Sequence, residues 1–134
     1  MLRWILAVTY VLCLSFPAFA EAKPPGPRLI QGELDLRAFD LATMPPLSIG
    51  GEIEFFWNRL ISPDESEKGE WISYPGSWDV VGDYPRYGYA SYRIRVRLSK
   101  RQIVSLRIGQ IPSAWLLFID CVEMASAGKV GTSP

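Results

Sequence analysis

The chain of 134 residues contains no histidine. That excludes Ser-His-Asp and Cys-His nucleophile systems and the zinc sites built on imidazole. It also removes the side chain that most often acts as general base near neutral pH. Paired carboxylates or a Ser-Lys pair could still do chemistry, but no spacing singles one out. We therefore expect a noncatalytic protein with no cofactor and no metal site. Cysteine is nearly as scarce, with only Cys13 and Cys121. Cys13 lies in an apolar N-terminal segment, so its removal would leave Cys121 without a partner and the chain without a disulfide framework. We read Cys121 as a structural residue rather than a reactive thiol. An excess of one charge is also lacking: Lys plus Arg and Asp plus Glu number 14 each. No basic field points to nucleic acid or to anionic lipid. Beyond the N-terminal segment no apolar run reaches membrane-spanning length. Gly128, Lys129 and Gly131 do not form a phosphate loop, because no Gly-Lys-Ser/Thr closes a helix start.

What is present is ordinary globular composition, 49% hydrophobic and 21% charged, at a length that suits one domain. MLRWILAVTYVLCLSFPAFA carries the three parts of a secretory signal. Arg3 supplies the positive start, 4–16 the apolar stretch, and Ala18-Phe19-Ala20 a small-x-small cleavage site before Glu21. An uncleaved anchor is the alternative, but the apolar run is short for a span. Residues 1–20 are thus read as a signal peptide, 21–28 (EAKPPGPR) as a Pro-rich spacer, and 29–134 as the folded domain.

Within that domain the periodicity is that of strands. Segments 34–36 and 49–57 read as strands, with Ile53, Phe55 and Trp57 on one face and Glu52, Glu54 and Phe56 on the other. SPDESEKGE, 62–70, is a polar loop opening on a short helical turn at 62–65. The clearest alternation is 92–98, with Tyr92, Ile94, Val96 and Leu98 against Arg93, Arg95 and Arg97. This predicts a one-sided antiparallel strand whose arginines form a solvated face. Residues 103–108 alternate again, and WLLFI, 115–119, reads as a strand buried on both faces, followed by a tight turn at Asp120-Cys121. No long segment keeps a helical period. Short strands punctuated by Gly and Pro predict an all-β fold, a β-sandwich or jelly roll.

The strings LDLRAFDL (34–41), GEIEFFWNRLISPDE (51–65), WISYPGSWDV (71–80), YGYASYRIRVRL (87–98) and SAWLLFIDCVEMASAGKVGTSP (113–134) occur in that order. Together they resemble the N-terminal extracytoplasmic sensor domain of bacterial seven-transmembrane receptors with diverse intracellular signalling modules. The resemblance implies a jelly roll of the galactose-binding type that binds carbohydrate or another small ligand outside the inner membrane, on the periplasmic side. In that family seven membrane helices and a cytoplasmic output follow, so the chain is expected to lack its last strands and to reach the membrane only through a missing C-terminal region or a partner. The sequence departs from the family pattern at Ile53, where the family has Trp, and at Leu116, where it has Arg. It departs again at Asp120-Cys121, where the family has Asn-Gly, and at Glu123, where it has an apolar residue. Two other readings remain: an accessory β-sandwich domain of an exported glycoside hydrolase, or a nonfunctional truncated remnant.

A carbohydrate site stacks sugar C–H faces on aromatic rings and fixes hydroxyls with a few polar groups. The residue types that meet this need cluster at Trp78, Asp83, Tyr84, Arg86, Tyr87, Tyr89 and Arg93, around the loop 79–87 with its Gly82 and Pro85. For Trp78, behind Pro75-Gly76-Ser77, the alternatives are a ligand platform and a core plug. The Pro-Gly-Ser-Trp pattern also resembles noncatalytic domains of β-galactosidases and β-glucuronidases, where it is largely structural, and this favours the plug. Trp57 and Trp115, in strand patterns, are expected in the core.

Overall fold

The structure, a computed structural model, describes residues 26–132. The signal-like segment, Cys13 and most of the Pro-rich spacer lie outside the described residues. The described residues are all-β, with eight short strands and one helical turn among them. Six strands share a sheet: β1 (Leu29–Ile30), β2 (Glu33–Asp35), β3 (Gly51–Trp57), β4 (Glu70–Tyr74), β5 (Ala90–Arg93) and β6 (Arg95–Arg97). The others, β7 (Trp115–Ile119) and β8 (Val122–Ala127), form a separate antiparallel pair.

β3 organises the larger sheet. One edge carries β4, antiparallel from Gly51↔Tyr74 to Phe55↔Glu70. The opposite edge is shared: Leu29 of β1 runs parallel at Gly51, and β5 pairs antiparallel along Glu54–Trp57. The close approach of β1 depends on Gly51. Its φ of 132° lies where side chains are strained, and a Cβ there would overlap the Leu29 backbone. β1 turns through Gln31-Gly32, both at positive φ, into β2, which then pairs parallel with β6.

The alternation predicted for β3 is present, but both of its faces are covered. Ile53 and Phe55 join Leu29, Leu34, Leu36 and Ile72 in the apolar core. Full burial of such side chains contributes about 1.5–3 kcal/mol each. Glu54 and Phe56, on the other face, are buried as well.

The structure revises four readings. The single strand expected over 92–98 is two strands broken at Ile94. The chain leaves the edge of β3 there and joins β2, with the Arg95 N–H donating to the Gly32 carbonyl at 2.8 Å. Residues 103–108 form no strand despite their alternation, and Ile103 is fully exposed. WLLFI is a strand, β7, but it is not buried: Leu116, Phe118 and Ile119 are exposed, and Trp115 is half-buried in the hairpin rather than in the main core. Cys121 is an exposed free cysteine at the hairpin turn, at φ 66° beside Asp120 at 49°, and does not pack in an interior. Two positive φ values are what a two-residue type I′ turn requires, so the turn forms without the Asn-Gly that favours it.

Candidate functional site

YPGSWDVV, 74–81, bends out of β4 into the helical turn α1 (Trp78–Val81). The Tyr74-Pro75 peptide is cis, Ser77 is extended, and its carbonyl accepts the N–H groups of Val80 and Val81 at 2.9 and 3.0 Å. Trp78, at the first position of the turn, is thereby directed back onto the sheet. Its ring centroid lies 5.4 Å from that of Trp57, edge to face, and 6.4 Å from that of Phe55. Its Nε1–H donates to the Pro85 carbonyl at 2.8 Å. A half-buried indole with its donor satisfied by backbone is a packing element. Trp57 too is half-buried and packs against the core.

The indole bond ties the far end of the loop 79–87 to its start. A second tie comes from Tyr84. Its ring lies 5.0 Å from Phe55 and 5.3 Å from Trp57, and its hydroxyl donates to the Glu70 carboxylate. That hydrogen bond, aided by burial and the Glu70 charge, pushes the Tyr84 phenol up to about 12. Beyond these anchors the loop turns outward, with Asp83, Arg86 and Tyr87 exposed and Tyr87 83% accessible. The chain then passes over the Trp57 ring at Gly88, where a Cβ would overlap the indole. Tyr89 is half-buried, and its carbonyl accepts the Asn58 N–H at 2.9 Å.

Of the seven residues expected at the site, Trp78 and Tyr84 are thus its supports, and Asp83, Arg86 and Tyr87 its outward surface. Tyr89 is the return point. Arg93 does not join them. Its neighbour Tyr92 packs 5.1 Å from Phe55 on the aromatic side, and Arg93 points through the opposite face of the sheet.

There Arg93 meets Glu54. Its Nε and Nη2 donate to the two carboxylate oxygens at 2.8 and 3.0 Å, Arg95 Nη1 adds a bond at 2.9 Å, and the Gly69 N–H another at 3.0 Å. Burial alone would push the Glu54 carboxyl up. The hydrogen bonds from Arg93 and Gly69 and the two arginine charges outweigh it and hold the group at about 2. Arg93 also donates to the Glu65 and Glu67 carbonyls and lies 4.8 Å from the Phe56 ring centroid, clasping the polar loop to the sheet. Arg97 pairs with Glu33 at 2.6 Å. The arginine stripe is therefore not a plain solvated face: Arg93 is largely buried, and Arg95 and Arg97 are half-exposed ion-pair partners. No buried side-chain nitrogen or oxygen among the described residues lacks a partner. The cluster is a closed structural network.

Sequence reading missed Glu54 and Glu70. A signal for Glu54 was available, because a carboxylate between Ile53, Phe55 and Phe56 must find a cation, and an arginine stripe lies downstream. Glu70 ends a loop rich in acidic residues and nothing local marks it. An open depression elsewhere, lined by Asp35, Arg37, Ala38 and Phe39, contains none of the seven site residues. No group of three or more Cys, Asp or Glu among the described residues could hold a metal ion, and no described helix is long and apolar enough to cross a membrane. Comparison of the chain with protein-family models, curated proteins and solved structures gives no match.

Proposed function

We propose that this chain is a noncatalytic, extracytoplasmic ligand-binding module of the jelly-roll type. In this reading it serves as the sensor of a bacterial membrane signalling receptor whose membrane and output parts lie outside the chain. Carbohydrate is the proposed ligand class. The observation that carries the reading is the braced loop 79–87. Two side-chain hydrogen bonds and the tilted packing of Tyr84 on Trp57 fix its base, and its tip offers Tyr87 with Asp83 and Arg86 to solvent. An exposed aromatic face beside hydrogen-bonding charges suits a sugar, whose C–H face stacks while its hydroxyls bond. Preorganisation reduces the entropy lost when a ligand docks. The secretory pattern of residues 1–20 and the all-β architecture agree with the reading. Glycan-array and thermal-shift screening of the folded protein test it: at least one sugar or small metabolite should bind and raise the melting temperature, and a complete absence of binding would count against it.

A further inference from the structure

The β7–β8 hairpin forms no ladder with the main sheet, yet it carries Leu116, Phe118, Val122 and Met124 on exposed positions. A two-stranded ribbon is at best marginal in water by itself, and its outer edges leave backbone N–H and C=O groups unpaired. The segment 100–110, KRQIVSLRIGQ, shows the converse. It has a strand's alternation, forms no strand, and exposes Ile103, Val104 and Leu106. The two elements also differ in charge. Segment 100–110 carries Lys100, Arg101 and Arg107 and no acid, whereas 115–128 carries Asp120 and Glu123 and no base. None of these five charges belongs to an ion pair among the described residues.

We propose that the open edge of the hairpin is an interaction surface for a second copy of this chain, whose segment 100–110 adds to it as a strand. Strand addition satisfies the open edge, the added strand continues the exposed apolar positions of both faces, Leu116 and Phe118 on one and Ile119 and Val122 on the other, and the basic segment meets the acidic hairpin. A two-fold axis makes the exchange twice, each copy supplying one segment and one hairpin, so the contact closes at a dimer.

The test is a charge reversal carried out in trans. Light scattering over a concentration series should give twice the monomer mass for the purified wild-type chain. Arg107→Glu alone and Glu123→Lys alone should each shift the species toward monomer, because like charges then face each other in both contacts. Mixing the two variants in equal amounts should restore the dimer, since both contacts again pair opposite charges. Circular dichroism of each variant should match wild type, as both positions are exposed. A wild-type chain that stays monomeric throughout would overturn the proposal. So would a mixture of the two variants that stays monomeric, and a double variant Arg107→Glu/Glu123→Lys that is also monomeric would point to the segment closing on its own hairpin.

Discussion

The Glu54 carboxylate, with none of its surface exposed, accepts two hydrogen bonds from the Arg93 guanidinium across the β3–β5 ladder. The pair is one rung of the sheet, and through the Glu65 and Glu67 carbonyls it also fastens the polar loop. Removing Glu54 leaves the largely buried Arg93 without its carboxylate, and removing Arg93 leaves the buried carboxylate to Arg95 and the Gly69 N–H; breaking a buried pair in this way costs up to about 3–5 kcal/mol. Glu54→Gln and Arg93→Ala should each lower stability on that scale in urea unfolding. The apolar double variant Glu54→Leu/Arg93→Met should lose less than the sum of the two.

The same carboxylate predicts an acid limb. Its pKa falls from 4.5 to about 2 on folding, so its stabilising contribution is complete above 4.5 and is lost as pH drops through about 2. Unfolding midpoints measured from pH 6 downward should stay level to about 5 and then decline. Glu54→Gln should start lower and decline less over that window.

Tyr84 predicts an alkaline limb of opposite sense. Its phenol rises from 10.0 to about 12 on folding, so the bond to Glu70 stabilises fully below pH 10 and is lost as pH climbs toward 12. Tyr84→Phe should remove that part of the pH dependence. Absorbance titration of the phenolates should show one fewer late-titrating tyrosine.

Trp78 distinguishes support from contact. Trp78→Ala removes the packing on Trp57 and Phe55 and the bond to Pro85. A cost of about 3 kcal/mol is expected, the low end for an aromatic-to-alanine change, because the ring is only half-buried. Retained stability in a thermal melt would contradict the packing role.

Alternation along the chain made most of the strands legible, and it put Ile53 and Phe55 together on one face, which the structure packs into the core. It could not reveal that β3 has both faces covered, because the cover for Glu54 comes from Arg93, 39 residues on. Periodicity assigns a side chain to a face without naming its partner. For the same reason the break at Ile94 was hidden: the pattern of 92–98 runs on unbroken while the pairing strand changes from β3 to β2. Segment 103–108 carries a strand's pattern without a ladder, since pattern cannot supply a neighbour. At the candidate loop, the Pro75-Gly76-Ser77-Trp78 pattern favours the packing role that Trp78 has, but the place of Tyr84 as a second support and of Arg93 on the other face was not readable. The bracing of the loop depends on two bonds, Trp78 to Pro85 and Tyr84 to Glu70, that sequence spacing does not encode.

The claim that the braced loop 79–87 is a ligand site meets its most direct test in Tyr87→Ala. Tyr87 is 83% exposed, so its truncation should change stability by no more than about 0.5 kcal/mol. Thermal shift and titration calorimetry against a panel of sugars and small metabolites should show a ligand that binds wild type and loses binding in Tyr87→Ala at an unchanged unliganded melting temperature. A ligand bound equally well by both proteins, or none bound by wild type, would contradict the account.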